Sequence, residues 1–388
     1  MIQRQLDLWR ILGETRSAFL FGPRGVGKTY LAQRFLEASG GGLAINLLNL
    51  DVYRRYVTDL TLFRREVEHA IGDGTLTVLV DEVQKFPALL DEVHGLIEAH
   101  KPKVRFLLTG SSARKLRRGG ANLLAGRAWT LMLHPLSSSE VDLDLQRALS
   151  FGSLPAIYLE DSSPVRSLTA YVDTYLREEI LVEALVRKSE SFIRFLDLAG
   201  QINGEPVNHA KLGRAAGVSS KTVQEYFSIL VDTLVALRVD GWSHSIRKQL
   251  RQSPKYYFFD CGVLNAIRGE IRSELRPHTY RYGKLFETLV VNEVQRRNDY
   301  EDLGYRLYYW RTNSGREVDL ILARGPADPP CAIEIKSDSA PTEADMRGLR
   351  SFRSENPTAK LFCFCTTPRA YRFGDVKVVP WQDGLREI

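Results

Sequence analysis

At 388 residues the chain exceeds the size at which a single hydrophobic core keeps growing, so two or three domains are expected. A hydrophobic share of 44% suits a folded protein. No apolar run nears the ~18 residues of a membrane span, and the charged opening MIQRQLDLWR lacks the apolar core of a signal peptide, so the cytoplasm is the expected location. Lys and Arg number 53 against 47 Asp and Glu, and the formal net charge of +6 is compatible with a polyanionic partner without requiring one.

In chain order, the apolar run Ala18-Phe19-Leu20-Phe21 stops at Gly22, after which GPRGVGKT leads into the helical pattern YLAQRFLEA. Gly22, Pro23, Arg24, Gly25, Val26, Gly27, Lys28 and Thr29 fit G-x-x-x-x-G-K-[ST] between a strand and a helix, as the mechanism of a phosphate loop requires. The glycines let backbone N–H groups turn inward onto phosphate oxygens. Lys28 is expected to meet the β- and γ-phosphates of ATP, Thr29 to bind Mg2+, and the helix N-terminus to face the anion. A second apolar run, TVLVDE, ends in Asp81, placed to hold the magnesium, and Glu82, placed to polarise the attacking water. A third, VRFLLTGSS, is expected beside the phosphate strand with Thr109, or else Ser111, as a polar sensor; ordinary strand-end turn residues remain the alternative. Strands alternating with helices predict an α/β domain with a parallel sheet.

From about 165 to 200, Leu168, Tyr171, Val172, Tyr175 and Leu176 recur at helical spacing and predict one apolar face. The segment HAKLGRAAGVSSKTVQEYFSILVDTLVALRVDGW predicts helix, tight turn at Gly217, a second helix capped by Ser219 and a short strand pair. That is winged-helix spacing. Ser220, Lys221, Thr222 and Gln224 would open the second helix toward a DNA groove, with plain structural packing as the alternative. Beyond about 275 a helix carrying Glu287 precedes strands carrying Asp319 in EVDLIL and Glu334 and Lys336 in AIEIK. Residues two apart on a strand share a face, and the set resembles the PD-(D/E)xK restriction-nuclease pattern. In that pattern Glu287, Asp319 and Glu334 would hold a metal while Lys336 assists a water. Arg306, Tyr308, Tyr309, Trp310, Arg311 and Arg316 are candidate nucleic-acid contacts, with alternate members expected in the core. Cys261, Cys331, Cys363 and Cys365 show no zinc-binding spacing.

Taken together, GPRGVGKT, INLLNLD, LVDEVQKFP, LLTGSSARKL, LAGR and LHPLSSSE resemble, in that order, the prokaryotic AAA-type ATPases whose C-terminal half carries an uncharacterised nuclease-like domain. The resemblance implies an AAA+-like core in which Arg127 of LAGR is an arginine finger or sensor, with a surface salt bridge as the equal alternative and Arg114 as a competitor. A finger acting on a neighbour's nucleotide implies a homo-oligomer, of which a ring is one form. The expected organisation is an ATPase core over 1–145, a helical linker or lid over 146–200, a winged helix over 201–270 and a nuclease-like α/β domain over 271–388. The expected function is an ATP-driven enzyme acting on DNA, with branched or four-way junction DNA as a target by analogy of fold. A slow signalling ATPase and a protein-remodelling ATPase are the alternatives.

Overall fold

A computed structural model describes residues 2–13, 15–72, 75–112, 124–159, 162–179, 189–243, 245, 249, 252–325 and 328–388. The chain divides into two compact units, Met1–Leu136 with Asp232–Leu234, and Ser137–Val231 with Val235–Ile388. No helix among the described residues is long and apolar enough to cross a membrane.

In the N-terminal unit the described strands are β1 (Ser17–Phe21), β2 (Gly42–Asn46), β3 (Leu76–Asp81), β4 (Val104–Gly110) and β5 (Ala128–Met132). They form a parallel sheet in the order β2-β3-β4-β1-β5. Both β1 and β4 are buried along their whole length, which explains their continuous apolar runs: helices cover both faces of a parallel sheet, so neither face needs polar residues. Helix α1 (Lys28–Ala38) follows the loop after β1, and α2 (Leu50–Thr58), α3 (Leu60–Ala70) and α4 (Leu89–His100) follow in turn. Asn49 and Asp59 cap α2 and α3 by accepting from backbone N–H groups of the first turn. Phe63 and Val67 of α3 and Val93 and Leu96 of α4 pack with Phe19, Val78, Val80, Phe106 and Leu108 of the sheet into one apolar core.

The C-terminal unit begins with short helices over Leu145–Phe151, Pro155–Leu159 and Pro164–Ala170, the last running on into a more widely wound turn over Tyr171–Glu179. Leu168, Val172, Tyr175 and Leu176 are buried there, as their spacing predicts. Helix α5 (Ser189–Gln201) precedes α6 (His209–Ala216) and α7 (Ser220–Asp232). Gly217 adopts a left-handed conformation between α6 and α7, and Ser219 Oγ accepts from Thr222 N at 3.1 Å. Strands β6 (Ala236–Gly241) and β7 (Lys255–Phe258) pair antiparallel, as a strand pair after two helices should.

The rest of the unit comprises α8 (Cys261–Ile267), α9 (Tyr280–Tyr300), β8 (Arg306–Arg311), β9 (Glu317–Ala323), β10 (Cys331–Ile335), α10 (Arg347–Glu355), β11 (Lys360–Cys365), β12 (Tyr371–Phe373), β13 (Val376–Pro380) and α11 (Trp381–Arg386). The described strands form a mixed sheet ordered β12-β13-β11-β10-β9-β8-β6-β7. Strands from both sides of residue 270 thus share one sheet. The first strand after the paired helices lies parallel to β8, Asp240 opposite Tyr308 and Gly241 opposite Tyr309. The two compact units divide in the chain at 136/137. All four cysteines are free and buried, in keeping with their strand and helix settings.

A buried ion pair ties α9 into this unit. Arg296 Nη1 lies 2.6 Å from Glu293 Oε1 with both side chains almost fully enclosed, and Glu293 Oε2 accepts from Ser138 N at 2.9 Å and Ser138 Oγ at 2.6 Å. Removing one partner strands a charge in the interior, so Glu293→Ala should cost about 3–5 kcal/mol. Thermal melting should place the loss in the C-terminal unit, and an unchanged transition would refute the assignment.

Candidate active site

The phosphate loop is shaped by close approach and by backbone conformation. A Cβ on Gly22 would lie 2.1 Å from the Leu133 carbonyl oxygen, so a side chain there would force the loop off β5. Gly25 and Gly27 have φ of 84° and 92°, the left-handed region that disfavours a Cβ. Gly27 makes no side-chain cap, so the first-turn N–H groups of α1 remain available to an anion. From outside, Arg4 fastens the loop by donating to Val26 O at 2.7 Å and His134 O at 2.6 Å. Val26 is fully buried beneath it, whereas Arg24 is exposed.

Lys28 is buried and donates through Nζ to Gly22 O and Pro23 O, both at 2.9 Å. Burial lowers its pKa to about 8. Glu82 and Asp81 oppose that shift, and Arg24 adds to it. Thr29 Oγ1 donates to Asp81, 3.1 Å from Oδ1 and 3.0 Å from Oδ2, joining the loop helix to the tip of β3. Thr109 donates to the same carboxylate from β4, and its Oγ1 accepts from Glu82 N at 3.2 Å. In the sheet register Thr109 sits opposite Leu20, at the phosphate-loop end of β1. Glu82 holds a left-handed φ of 61°, an uncommon conformation for a residue with a Cβ, and this turns the chain sharply at the site.

Gln84 escaped the sequence reading. It is buried in a single helical turn after β3, and its Nε2 donates both to Glu82 and, at 3.0 Å, to Ser111 Oγ. Ser111 thus supports the support of Glu82. The only signal was a polar residue two positions beyond the acid pair, a spacing with no chemical meaning until the turn is known.

Arg127 forms the surface ion pair that was its alternative, donating to Glu98 of α4 and, at 3.1 Å, to Ala125 O. Register sets this stretch apart from the phosphate loop of its own chain. The next residue, Ala128, lies opposite Ser17, at the other end of β1 from the phosphate loop. Four residue steps separate the two ends, roughly 13 Å at ~3.3 Å per step. Arg114 lies outside the described residues.

The second carboxylate set lies in the C-terminal unit. Glu287 is buried on α9, and its Oε1 accepts from Tyr257 OH at 2.7 Å and lies 3.8 Å from Lys255 Nζ. Its Oε2 takes Lys284 Nζ at 3.2 Å. Lys255 is 1% exposed and also lies 2.5 Å from Glu317 Oε1. Burial opposes the charge on Lys255, yet Glu287, Glu317 and Asp319 hold its pKa above the ordinary lysine value. Asp319 on β9 accepts from Ile335 N at 2.8 Å, and burial, reinforced by Glu287, pushes its pKa up to about 6. Buried Glu334 pairs with Lys336 at 2.7 Å; burial and then Asp319 push its pKa well above the carboxylate range. Its strand is no exposed ladder: Ala332, Ile333 and Ile335 are buried as well.

Glu287, Asp319, Glu334 and Lys336 thus converge electrostatically. No group of three or more His, Cys, Asp or Glu among the described residues is arranged to hold a metal ion. Lys255, Tyr257 and Lys284, all missed in the sequence, turn Glu287 to themselves. Of the expected nucleic-acid contacts, Tyr309 and Trp310 are buried, while Arg306, Arg311 and Arg316 are exposed.

Lys28 gives the site a pH signature. A triphosphate favours the ammonium form, so ATP affinity should fall as pH rises through about 8, by up to tenfold per unit beyond it. Calorimetry near pH 8 should register uptake of about half a proton per ATP bound, since about half the amine is neutral at its pKa. A pH-flat affinity would contradict a Lys28–phosphate contact.

Residues 14–142 match the family described as AAA domain, residues 142–274 a domain of unknown function (DUF8612) and residues 282–383 another (DUF4143). Uncharacterised proteins of Mycobacterium tuberculosis and Mycobacterium bovis are each 27% identical over 363 residues, covering 91% of this chain and 77% of theirs. An uncharacterised protein of Haemophilus influenzae is 23% identical over 351 residues, covering 83% of this chain and 84% of its own. The AAA match covers the loop, the strand-tip acids and the sheet that joins them, and it supports an AAA-type ATPase family for the N-terminal region.

Proposed function

We propose that the chain hydrolyses ATP in its N-terminal unit and couples that turnover to engagement of DNA by its C-terminal unit. The observation that carries the first half is the convergence of Thr29 and Thr109 on the Asp81 carboxylate beside an uncapped helix and a buried lysine. A hydroxyl and a carboxylate that meet at 3.0–3.1 Å are the hard oxygen donors that suit magnesium. When bound through Thr29 and Asp81, magnesium would neutralise charge on the β- and γ-phosphate oxygens.

The remaining chemistry belongs to the chain. Lys28 exchanges its bonds to the Gly22 and Pro23 carbonyls for phosphate oxygens. Glu82 takes a proton from water as the water oxygen bonds to the γ-phosphorus. The bond from that phosphorus to the bridging oxygen of ADP breaks, leaving ADP and inorganic phosphate. Thr109 and Gln84 hold Glu82 from its backbone and its side chain.

Support for DNA as the partner comes from α7, which buries Val223, Tyr226 and Phe227 and leaves Ser220, Lys221 and Gln224 exposed, the division a groove-reading helix needs. Branched or junction DNA is the target class proposed. An oligomer, in the form of a ring, would let Arg127 exchange Glu98 for a neighbour's nucleotide. Within this reading the C-terminal unit grips DNA rather than cuts it, because the Glu287 oxygens are already taken by Tyr257 and two lysines. The alternative, a slow switch ATPase whose C-terminal unit binds some other partner, shares the same phosphate chemistry.

Glu82→Gln should retain ATP binding while slowing hydrolysis about 10²-fold or more, in the range of a lost general base. Normal turnover in single-turnover assays would reassign the base. Steady-state ATPase with linear, forked and four-way DNA, repeated on dilution and with Arg127→Ala, tests the coupling. Stimulation by DNA that fades on dilution and with Arg127→Ala is expected. Turnover indifferent to every DNA would favour the switch, and turnover indifferent to dilution would remove the oligomer.

A further inference from the structure

The carboxylate cluster of the C-terminal unit carries an internal cation. Lys255 opens β7, which lies at the edge of the sheet, yet its side chain points inward and its ammonium is among the most completely enclosed charges described. It sits 2.5 Å from Glu317 and 3.8 Å from Glu287, with the Tyr309 ring 5.0 Å away on another side. Glu287 and Glu317 come from different elements, α9 and β9, and Asp319 lies two residues along β9 from Glu317. A positive group that draws carboxylates of a helix and a strand into one pocket does what a divalent ion does in a metal-dependent nuclease site. It also blocks such an ion, since a second cation placed against Glu287 would have to displace or approach the first.

Three other oxygens of the cluster have protein partners. Glu287 Oε2 has Lys284, which lies 2.7 Å from Glu205; Asp319 Oδ2 has the Ile335 N–H; Glu334 Oε1 has Lys336. Glu334 Oε2 is buried with no hydrogen-bond partner among the described residues.

We propose that the Lys255 ammonium occupies, permanently and covalently tethered, the role of a divalent cation in this carboxylate pocket, so that the pocket is a metal-independent structural centre rather than a hydrolytic one. At Glu287 the donor set that resembles a metal nuclease does not fit a metal, because its charge is met from within by Lys255 and Lys284. The inference rests on the C-terminal unit alone and holds whether or not the N-terminal unit turns over ATP.

The test is manganese binding followed by electron paramagnetic resonance on the full chain. Thr29→Ala and Asp81→Ala are built in, and nucleotide is left out, so that the phosphate-loop site is silent and the ATP reading cannot influence the result. In this background the chain is expected to bind no manganese at micromolar concentrations. Lys255→Met keeps the length of the side chain but removes its charge, and it should create a site with at least tenfold tighter binding, lost again with Asp319→Asn. Stranded carboxylates oppose the folding of Lys255→Met, so Lys255→Met with Glu317→Gln, which removes one charge of each sign, is measured in parallel and should also gain manganese. Manganese binding by the Lys255 protein that disappears with Asp319→Asn would overturn the proposal. So would a folded Lys255→Met, alone or with Glu317→Gln, that ignores manganese. Cleavage of labelled DNA that requires manganese, Asp319 and Lys336 would overturn it from the side of activity.

Discussion

The Asp81 carboxylate is the joint of the N-terminal unit. It ends β3, takes the Thr29 hydroxyl from the helix that follows β1 and takes the Thr109 hydroxyl from the end of β4. Three segments separated by tens of residues therefore meet at one group. The order β3-β4-β1 is what makes this possible, since it sets the strand ending in Thr109 between the other two. A buried carboxylate with only one hydroxyl partner would pay a large desolvation cost; two partners offset it and leave lone pairs for a cation. Glu82 inherits its place from the same joint, because its backbone N–H reaches Thr109 and its strained φ turns it away from the strand direction.

The C-terminal unit meets a similar problem with different means. Its buried acids outnumber what hydrogen bonds alone would satisfy, and three lysines are drawn in from β7, from α9 and from the end of β10 to answer them. Burial and mutual repulsion act in the same direction on Asp319 and Glu334, raising both, while Lys255, Lys284 and Tyr257 keep Glu287 on the low side. The result is a graded set of proton affinities within one pocket, produced by position rather than by residue type. Sites of this kind are common where chemistry occurs, and equally where ion pairs only hold a fold together.

How much of this could be read from the sequence depended on distance along the chain. Gly22 to Thr29 explain themselves because the motif is local and its mechanism dictates strand, loop and helix in that order. Asp81 and Glu82 were legible because a run of apolar residues ending in acids marks a strand tip, and Gly217 and Ser219 because turn and cap chemistry is local too. Arg127 was not, since its place depends on the register of β5 against β1, and no pattern in LAGR encodes that register. Lys255 and Tyr257 looked like ordinary strand residues in KYYFF; only the packing of β7 against α9 brings them to Glu287. The fusion of the strand pair to the larger sheet rests on two residue pairs between β6 and β8, too brief a contact to leave a sequence signature.

That brief contact also shapes how the chain is made. As synthesis proceeds from the N-terminus, β6 and β7 leave the ribosome before β8 exists, so the pairing edge of β6 is open until Gly241 can meet Tyr309. An open strand edge invites pairing with other chains. The nascent C-terminal unit therefore holds an open strand edge over that interval, and closing the sheet awaits a contact of long sequence separation.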